Sequence, residues 1–201
     1  VAWAKTYEVG VVSDLAYGAL GYQGYENPSF LSTPGAKDVG IEFYTFSKTF
    51  NMAGWRLAFA AGNDQMIEAL NLIQDHLFVG IFPALQEAGI AALLDPKSEE
   101  AVAQLNATYD SRRDAFVQAA AKIGWQAFPS RGSFYAWMPV PEGYTSESFA
   151  DLLLEKAHVA VAPGKGFGPA GNAYVRIGLL VEPERLVEAV NRIANLHLFN
   201  N

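Results

Sequence analysis

The spacing of apolar positions changes several times along this chain, and each change marks an element. Val9 to Ser13 is a short apolar run of the kind a buried parallel strand shows, and it stops at Asp14. Glu42 to Ser47 predicts a second strand that runs into Lys48, and Arg56 to Ala61 a third that closes at Gly62. The stretch from Gly18 to Gly35 between the first two is rich in Gly, Pro and Tyr and reads as a loop. From Asn63 the spacing becomes helical, with Met66, Ile67, Leu70 and Ile73 on one stripe and Asn63 or Asp64 placed to cap it. Pro83 opens another apolar helix, Asp95-Pro96-Lys97-Ser98 breaks it, and a long helix from Glu99 to Ile123 carries Val102, Leu105, Tyr109 and Phe116.

Beyond Gly124 the segments alternate in type. Trp125 to Phe128, Ser133 to Met138, Val159 to Ala162 and Tyr174 to Leu179 read as strands; Ser146 to Ala157 and the stretch after Pro183 read as helices. Strands interleaved with helices predict an α/β or α+β layer structure. We expect residues 1–98 to form part of a larger domain and residues 99–201 a small C-terminal domain.

Composition narrows the possible functions. With 201 residues, 51% of them hydrophobic, the chain can bury a sizeable core. A net charge of −7 leaves no basic stripe for a phosphate backbone, so nucleic acid is not an expected partner and small metabolites fit better. The absence of cysteine removes disulfide scaffolds, thiolate zinc sites and cysteine nucleophiles together. No run approaches ~20 apolar residues and no secretory signal opens the chain, so no membrane partner is expected and the cytoplasm is the default compartment. The chain opens on Val1-Ala2-Trp3-Ala4-Lys5, partway along a helix, so a preceding segment is expected.

Candidate chemistry is densest from Thr45 to Arg56, where Thr45, Ser47, Lys48 and Arg56 bring hydroxyls, an amine and a guanidinium to one loop. A lone lysine is most often a solvated surface residue. In this company it has a second reading, because a lysine amine forms a Schiff base with an aldehyde cofactor when its surroundings favour the free base. Arg56 is suited to hold a phosphate with its planar fork, and the two hydroxyls to donate to the same anion. The plainer reading of Arg56 is a surface arginine paired with an acid. Asp14 and Tyr17, three residues apart at a strand end, read by themselves as a cap and a packing residue. Arg176 stands inside the apolar strand Tyr174-Val175-Arg176-Ile177-Gly178, where an unpaired charge is rare. By itself it reads as a structural ion pair within the small domain. His76, His158 and His197 lack ligand spacing, and no metal site is expected.

The run Thr45-Phe46-Ser47-Lys48 followed by Met52-Ala53-Gly54-Trp55-Arg56 resembles the cofactor segment of the fold-type I pyridoxal-phosphate-dependent aminotransferases. Asp14-Leu15-Ala16-Tyr17 and Tyr174-Val175-Arg176 match the same family in order, and the likeness covers essentially the whole chain. The resemblance implies the C-terminal part of that fold, part of the large-domain sheet plus the small domain. It also implies a transaminase whose Lys48 carries pyridoxal 5'-phosphate as an aldimine. By the same resemblance Thr45 and Arg56 hold the phosphate, with Ser47 beside them; Asp14 meets the pyridine nitrogen, Tyr17 the ring oxygen, and Arg176 the substrate α-carboxylate.

Gly132-Ser133-Phe134-Tyr135 and Pro163-Gly164-Lys165-Gly166-Phe167-Gly168 resemble family loops at the substrate entrance, although their glycines also suit plain turns. The second loop lacks the spacing of a nucleotide-binding motif. The wording Asn71-Leu72-Ile73-Gln74-Asp75-His76 and Pro139-Val140-Pro141-Glu142-Gly143-Tyr144 is similar to the methionine-salvage aminotransferases of bacteria, which aminate the oxo-acid precursor of methionine. Amino acids and 2-oxo acids are the implied small-molecule partners, and a homodimer the implied full-length assembly. Three other readings use the same scaffold: a non-catalytic fragment, an effector-sensing domain, or another enzyme of this cofactor such as a lyase. The family's upstream half, with its phosphate loop and ring-stacking aromatic residue, is not in these residues.

Overall fold

The computed structural model describes residues 1–128 and 130–199, which fall into two compact units, 1–105 and 106–201. The first unit contains α1 (Ala2–Tyr7), β1 (Val11–Asp14), β2 (Gly40–Thr45), the single turn α2 (Phe46–Thr49), β3 (Ala58–Gly62), α3 (Asp64–Leu77) and α4 (Pro83–Leu94). Helix α5 (Ser98–Lys122) carries the chain across the division. The strands form one sheet in the order β1-β2-β3, with β1 parallel and β3 antiparallel to β2. Gly62 sits at φ 141°, and a Cβ there would lie 2.4 Å from the Gly40 carbonyl oxygen, so only glycine lets the two strands close at that point.

Three local expectations change in this unit. The first strand is parallel but not buried on both faces: its side chains alternate and Val12 is 63% exposed. The second strand ends at Thr45 rather than Ser47, because the Thr45 hydroxyl accepts a hydrogen bond from the Ser47 amide and starts α2, which carries Lys48. The third begins at Ala58, since Arg56 takes a left-handed conformation (φ 53°, ψ 45°) that a strand cannot hold. Asn63 proves to be the cap of α3, accepting from the Met66 amide at 3.1 Å.

Beneath the lysine turn, Phe46, Met52 and Leu57 form a small core against Ala88 and Ala92 of α4. Gly89 permits this contact, because a Cβ there would come within 2.7 Å of Leu57 Cδ2. Elsewhere the unit leaves large apolar side chains exposed, including Leu77, Phe78, Phe82 and Leu94.

The second unit holds β4 (Tyr135–Pro139), α6 (Ser146–Leu152), β5 (Ala162–Pro163), β6 (Tyr174–Gly178) and α7 (Pro183–Ala194). Its antiparallel sheet has the order β4-β6-β5. The inward residues Ala136, Met138, Val175 and Ile177 meet Phe116, Trp125, Phe149, Leu153, Val190 and Ile193 in the larger core. Each fully buried side chain of this size contributes about 1.5–3 kcal/mol.

Trp125 to Phe128 does not form the expected strand. The Trp125 indole plugs the core and donates to the Pro139 carbonyl at 2.7 Å, and the Phe128 amide makes one bond to Trp137. The expected helix from Ser146 is α-helical through Leu152 and widens to a π turn at Leu153–Ala157, closed by left-handed His158. The expected strand at Val159 is reduced to the pair Ala162–Pro163, because the Val159 amide returns to the Leu153 carbonyl. Among the described residues no helix is long and apolar enough to cross a membrane.

Candidate active site

A cleft of about 480 Å³ lies beside the C-terminal ends of β1 and β2. Asp14, Thr45, Ser47, Lys48 and Arg56 all line it, with Val12 and Phe43 among its apolar contributors. The local sequence explains this convergence. Strand β1 ends at Asp14, β2 ends at Thr45, two residues beyond the Asp14–Phe43 pair, and the turn of α2 swings Lys48 back into the same space.

The hydroxyl pair is wired to the backbone. Thr45 Oγ1 lies 2.9 Å from Ser47 Oγ and 3.3 Å from the Leu57 carbonyl oxygen, while it accepts from the Ser47 amide. Arg56 is exposed, and its guanidinium donates to the Ala53 carbonyl at 3.0 Å. Among the described residues it pairs with no acid, which removes the plain reading of a surface ion pair. Its left-handed backbone is an uncommon conformation for a residue with a long side chain, and it turns the chain between α2 and β3.

Asp14 is exposed at the end of β1, and its carboxylate has no hydrogen-bonding or ionic partner among the described residues. Tyr17 stands in the loop that follows, with its ring centre 5.8 Å from Lys48 Nζ, a cation–π approach. The loop keeps this position through Asn27, whose amide lies within hydrogen-bond reach of the carbonyls of Tyr17, Gly18 and Leu20. Thus five of the residues singled out from sequence share one cleft, and Tyr17 approaches the lysine beside it.

Arg176 belongs to the second unit and is described within it. It lies on β6 opposite Trp137 and is half-buried. Its guanidinium carbon sits 4.1 Å from the ring centre of Tyr135 and 4.4 Å from that of Phe167. No carboxylate pairs with it among the described residues, so it is not the structural ion pair that one reading allowed.

Two contributors were missed in the sequence. Asn27 looked like ordinary loop polarity, and nothing local marks it. Glu42 left a clue, a carboxylate within an apolar strand. It is buried and accepts from the hydroxyls of Ser13 and Ser29 and the amide of Phe30, which ties the Gly18–Gly35 loop to β2.

Comparison with known proteins shows the family. The model of the aminotransferase class I and II family matches residues 1–193, and the chain belongs to that family. It is 58% identical over 199 residues to the L-glutamine--4-(methylsulfanyl)-2-oxobutanoate aminotransferase of Bacillus subtilis, covering 99% of this chain and 50% of the relative. It is 47% identical to the LL-diaminopimelate aminotransferase of Moorella thermoacetica, covering 96% of this chain and 49% of that enzyme. Among solved structures, substrate-bound BacF from Bacillus subtilis superposes with a TM-score of 0.93 at 45% identity, over 98% of this chain and 50% of its own. An aminotransferase from Staphylococcus aureus gives 0.92 at 38% identity, over 99% of this chain and 53% of its own. The chain therefore has part of the α/β fold of the pyridoxal-phosphate-dependent aminotransferases and spans about half the length of the relatives it matches. Enzymes of this family work with pyridoxal phosphate.

Proposed function

We propose that this chain is the lysine-bearing part of an aminotransferase that moves an amino group between an amino acid and a 2-oxo acid, with Lys48 as the catalytic residue. The observation that carries the reading is the shared cleft. An amine, two hydroxyls and an unpaired guanidinium lie together there with an unpaired carboxylate, and that donor set suits a phosphorylated aldehyde built on a pyridine ring.

When bound, pyridoxal phosphate supplies the aldehyde that takes up the amino group and a ring that spreads the negative charge left at the substrate's Cα. Lys48 Nζ would hold the cofactor's aldehyde, and as a free amine it would take the proton from the substrate's Cα. The hydroxyls of Thr45 and Ser47 and the fork of Arg56 would hold the phosphate, since all three side chains line the cleft. The Asp14 carboxylate would accept from the ring N–H, and the Tyr17 hydroxyl would donate to the ring oxygen. On the second unit, Arg176 takes the substrate α-carboxylate in a two-pronged contact.

The 58% identity to the glutamine-dependent enzyme of Bacillus subtilis supports 4-(methylsulfanyl)-2-oxobutanoate as acceptor and a place in methionine salvage. The exposed apolar side chains of the first unit support a larger assembly, for which the family suggests a homodimer. The test is methionine formation by the full-length protein from L-glutamine and that oxo acid, with an LL-diaminopimelate assay alongside. Methionine as the preferred product is expected. Preference for diaminopimelate would refute the salvage assignment, and no transfer to any 2-oxo acid would refute the transaminase.

A further inference from the structure

We infer that Tyr135 and Phe167 are positioning residues that hold the Arg176 guanidinium between two aromatic faces, and that the Pro163–Gly168 loop exists to deliver one of those faces. The inference rests on reading Arg176 as the carboxylate anchor, and it assigns a task to a loop that this reading leaves unused. A guanidinium on a long side chain has many rotamers, and fixing it in advance reduces the entropy lost when a carboxylate binds.

The sheet places one of the rings. Tyr135 and Trp137 of β4 alternate to the same face as Tyr174 and Arg176 of β6, while Ala136, Met138, Val175 and Ile177 face the core. The residue opposite Tyr135 is Gly178, so the ring has no side chain facing it and lies over its diagonal neighbour Arg176 instead. The second ring arrives from outside the sheet. Phe167 ends a 3-10 turn, Gly164–Phe167, and stands edge-on to Trp137, which in turn stacks on Tyr174. The two rings come from different elements, Tyr135 from β4 and Phe167 from the loop, and both lie within cation–π range of the same guanidinium carbon.

The loop is fixed firmly enough to do this. The Gly164 and Gly171 backbones meet so closely that a Cβ on Gly164 would lie 2.2 Å from the Gly171 carbonyl oxygen. The Lys165 amide donates to the fully buried Ser146 hydroxyl, which reaches the Asn172 side chain, and the Lys165 ammonium pairs with Glu147. With two rings against the guanidinium and no carboxylate paired with it among the described residues, its N–H groups are left for an incoming anion.

The experiment uses full-length protein carrying Tyr135→Leu, Phe167→Leu, the ring-retaining Tyr135→Phe and Phe167→Tyr, and Arg176→Gln. Each is assayed with the amino acid the wild type turns over fastest and with that amino acid's decarboxylated amine. Binding is read by spectral titration, and thermal unfolding checks folding. The leucine variants are expected to raise KM for the amino acid about five- to twenty-fold, with a smaller change in kcat and no loss of affinity for the amine. The ring-retaining variants restore most of the affinity. If Arg176→Gln weakens the amino acid but the leucine variants bind it like wild type, or lose amine and amino acid alike, the clamp is wrong and the anchor stands. If Arg176→Gln leaves amino-acid binding unchanged, the anchor reading fails and the clamp fails with it.

Discussion

Ser29 donates a 2.6 Å hydrogen bond to Oε1 of Glu42, while Oε2 of the same carboxylate accepts from Ser13 and from the Phe30 amide. A buried carboxylate with three donors is matched only by an acceptor on both oxygens. Glu42→Gln puts an NH2 group where a donor already points, and we expect a loss of about 1–3 kcal/mol in urea unfolding. The loop from Gly18 to Gly35 should also become more open to protease. An unchanged unfolding midpoint would show that water satisfies these donors equally well.

The phosphate reading ranks two substitutions. Arg56→Gln removes a charged donor and is expected to weaken pyridoxal phosphate about ten- to hundred-fold in equilibrium dialysis of the full-length protein. Thr45→Val removes one neutral hydroxyl and should cost about three- to ten-fold. The reverse order would place the phosphate away from Arg56.

Gly89 tests the packing beneath the lysine turn. Alanine or valine would ordinarily favour a helix over glycine. Here a side chain meets Leu57 and Phe46, so Gly89→Val is expected to destabilise by about 1–3 kcal/mol and to lower Tm. A higher Tm would mean that α4 can move off the turn without cost.

Glu188 supplies a pH dependence. Its hydrogen bond and charge contact with Arg192, aided by Arg185, hold its carboxyl below the ordinary value. A lowered folded-state value gives stability that is present at neutral pH and is lost as the pH falls through that value. The Tm difference between wild type and Glu188→Gln should therefore shrink on acidification, and should shrink at neutral pH when salt is added. A difference that grows in acid would contradict the pairing.

Most of the strands and helices were legible because their signals are local: Pro83 opens α4, Asn63 caps α3, and alternation marks β4 and β6. What was not legible depends on tertiary contacts. Trp125 looks like strand material, but burying its ring is worth more than a short ladder. The second strand read as running to Ser47 because the capping power of Thr45 shows only once the Ser47 amide folds back on it. The cofactor-type residues were marked by the resemblance of their motifs to a family pattern, whereas Asn27 carries no local sign and Glu42 only the oddity of a carboxylate in an apolar strand. Their partners lie seven to thirteen residues away or in another element.

The central claim is that Lys48 is the amine that holds the cofactor. The direct measurement is the visible spectrum of the full-length protein after adding pyridoxal phosphate, with Lys48→Ala beside it and an amino acid added last. A band that needs Lys48 and bleaches with the amino acid is expected. A band of equal strength in Lys48→Ala, at equal protein and cofactor, would contradict it.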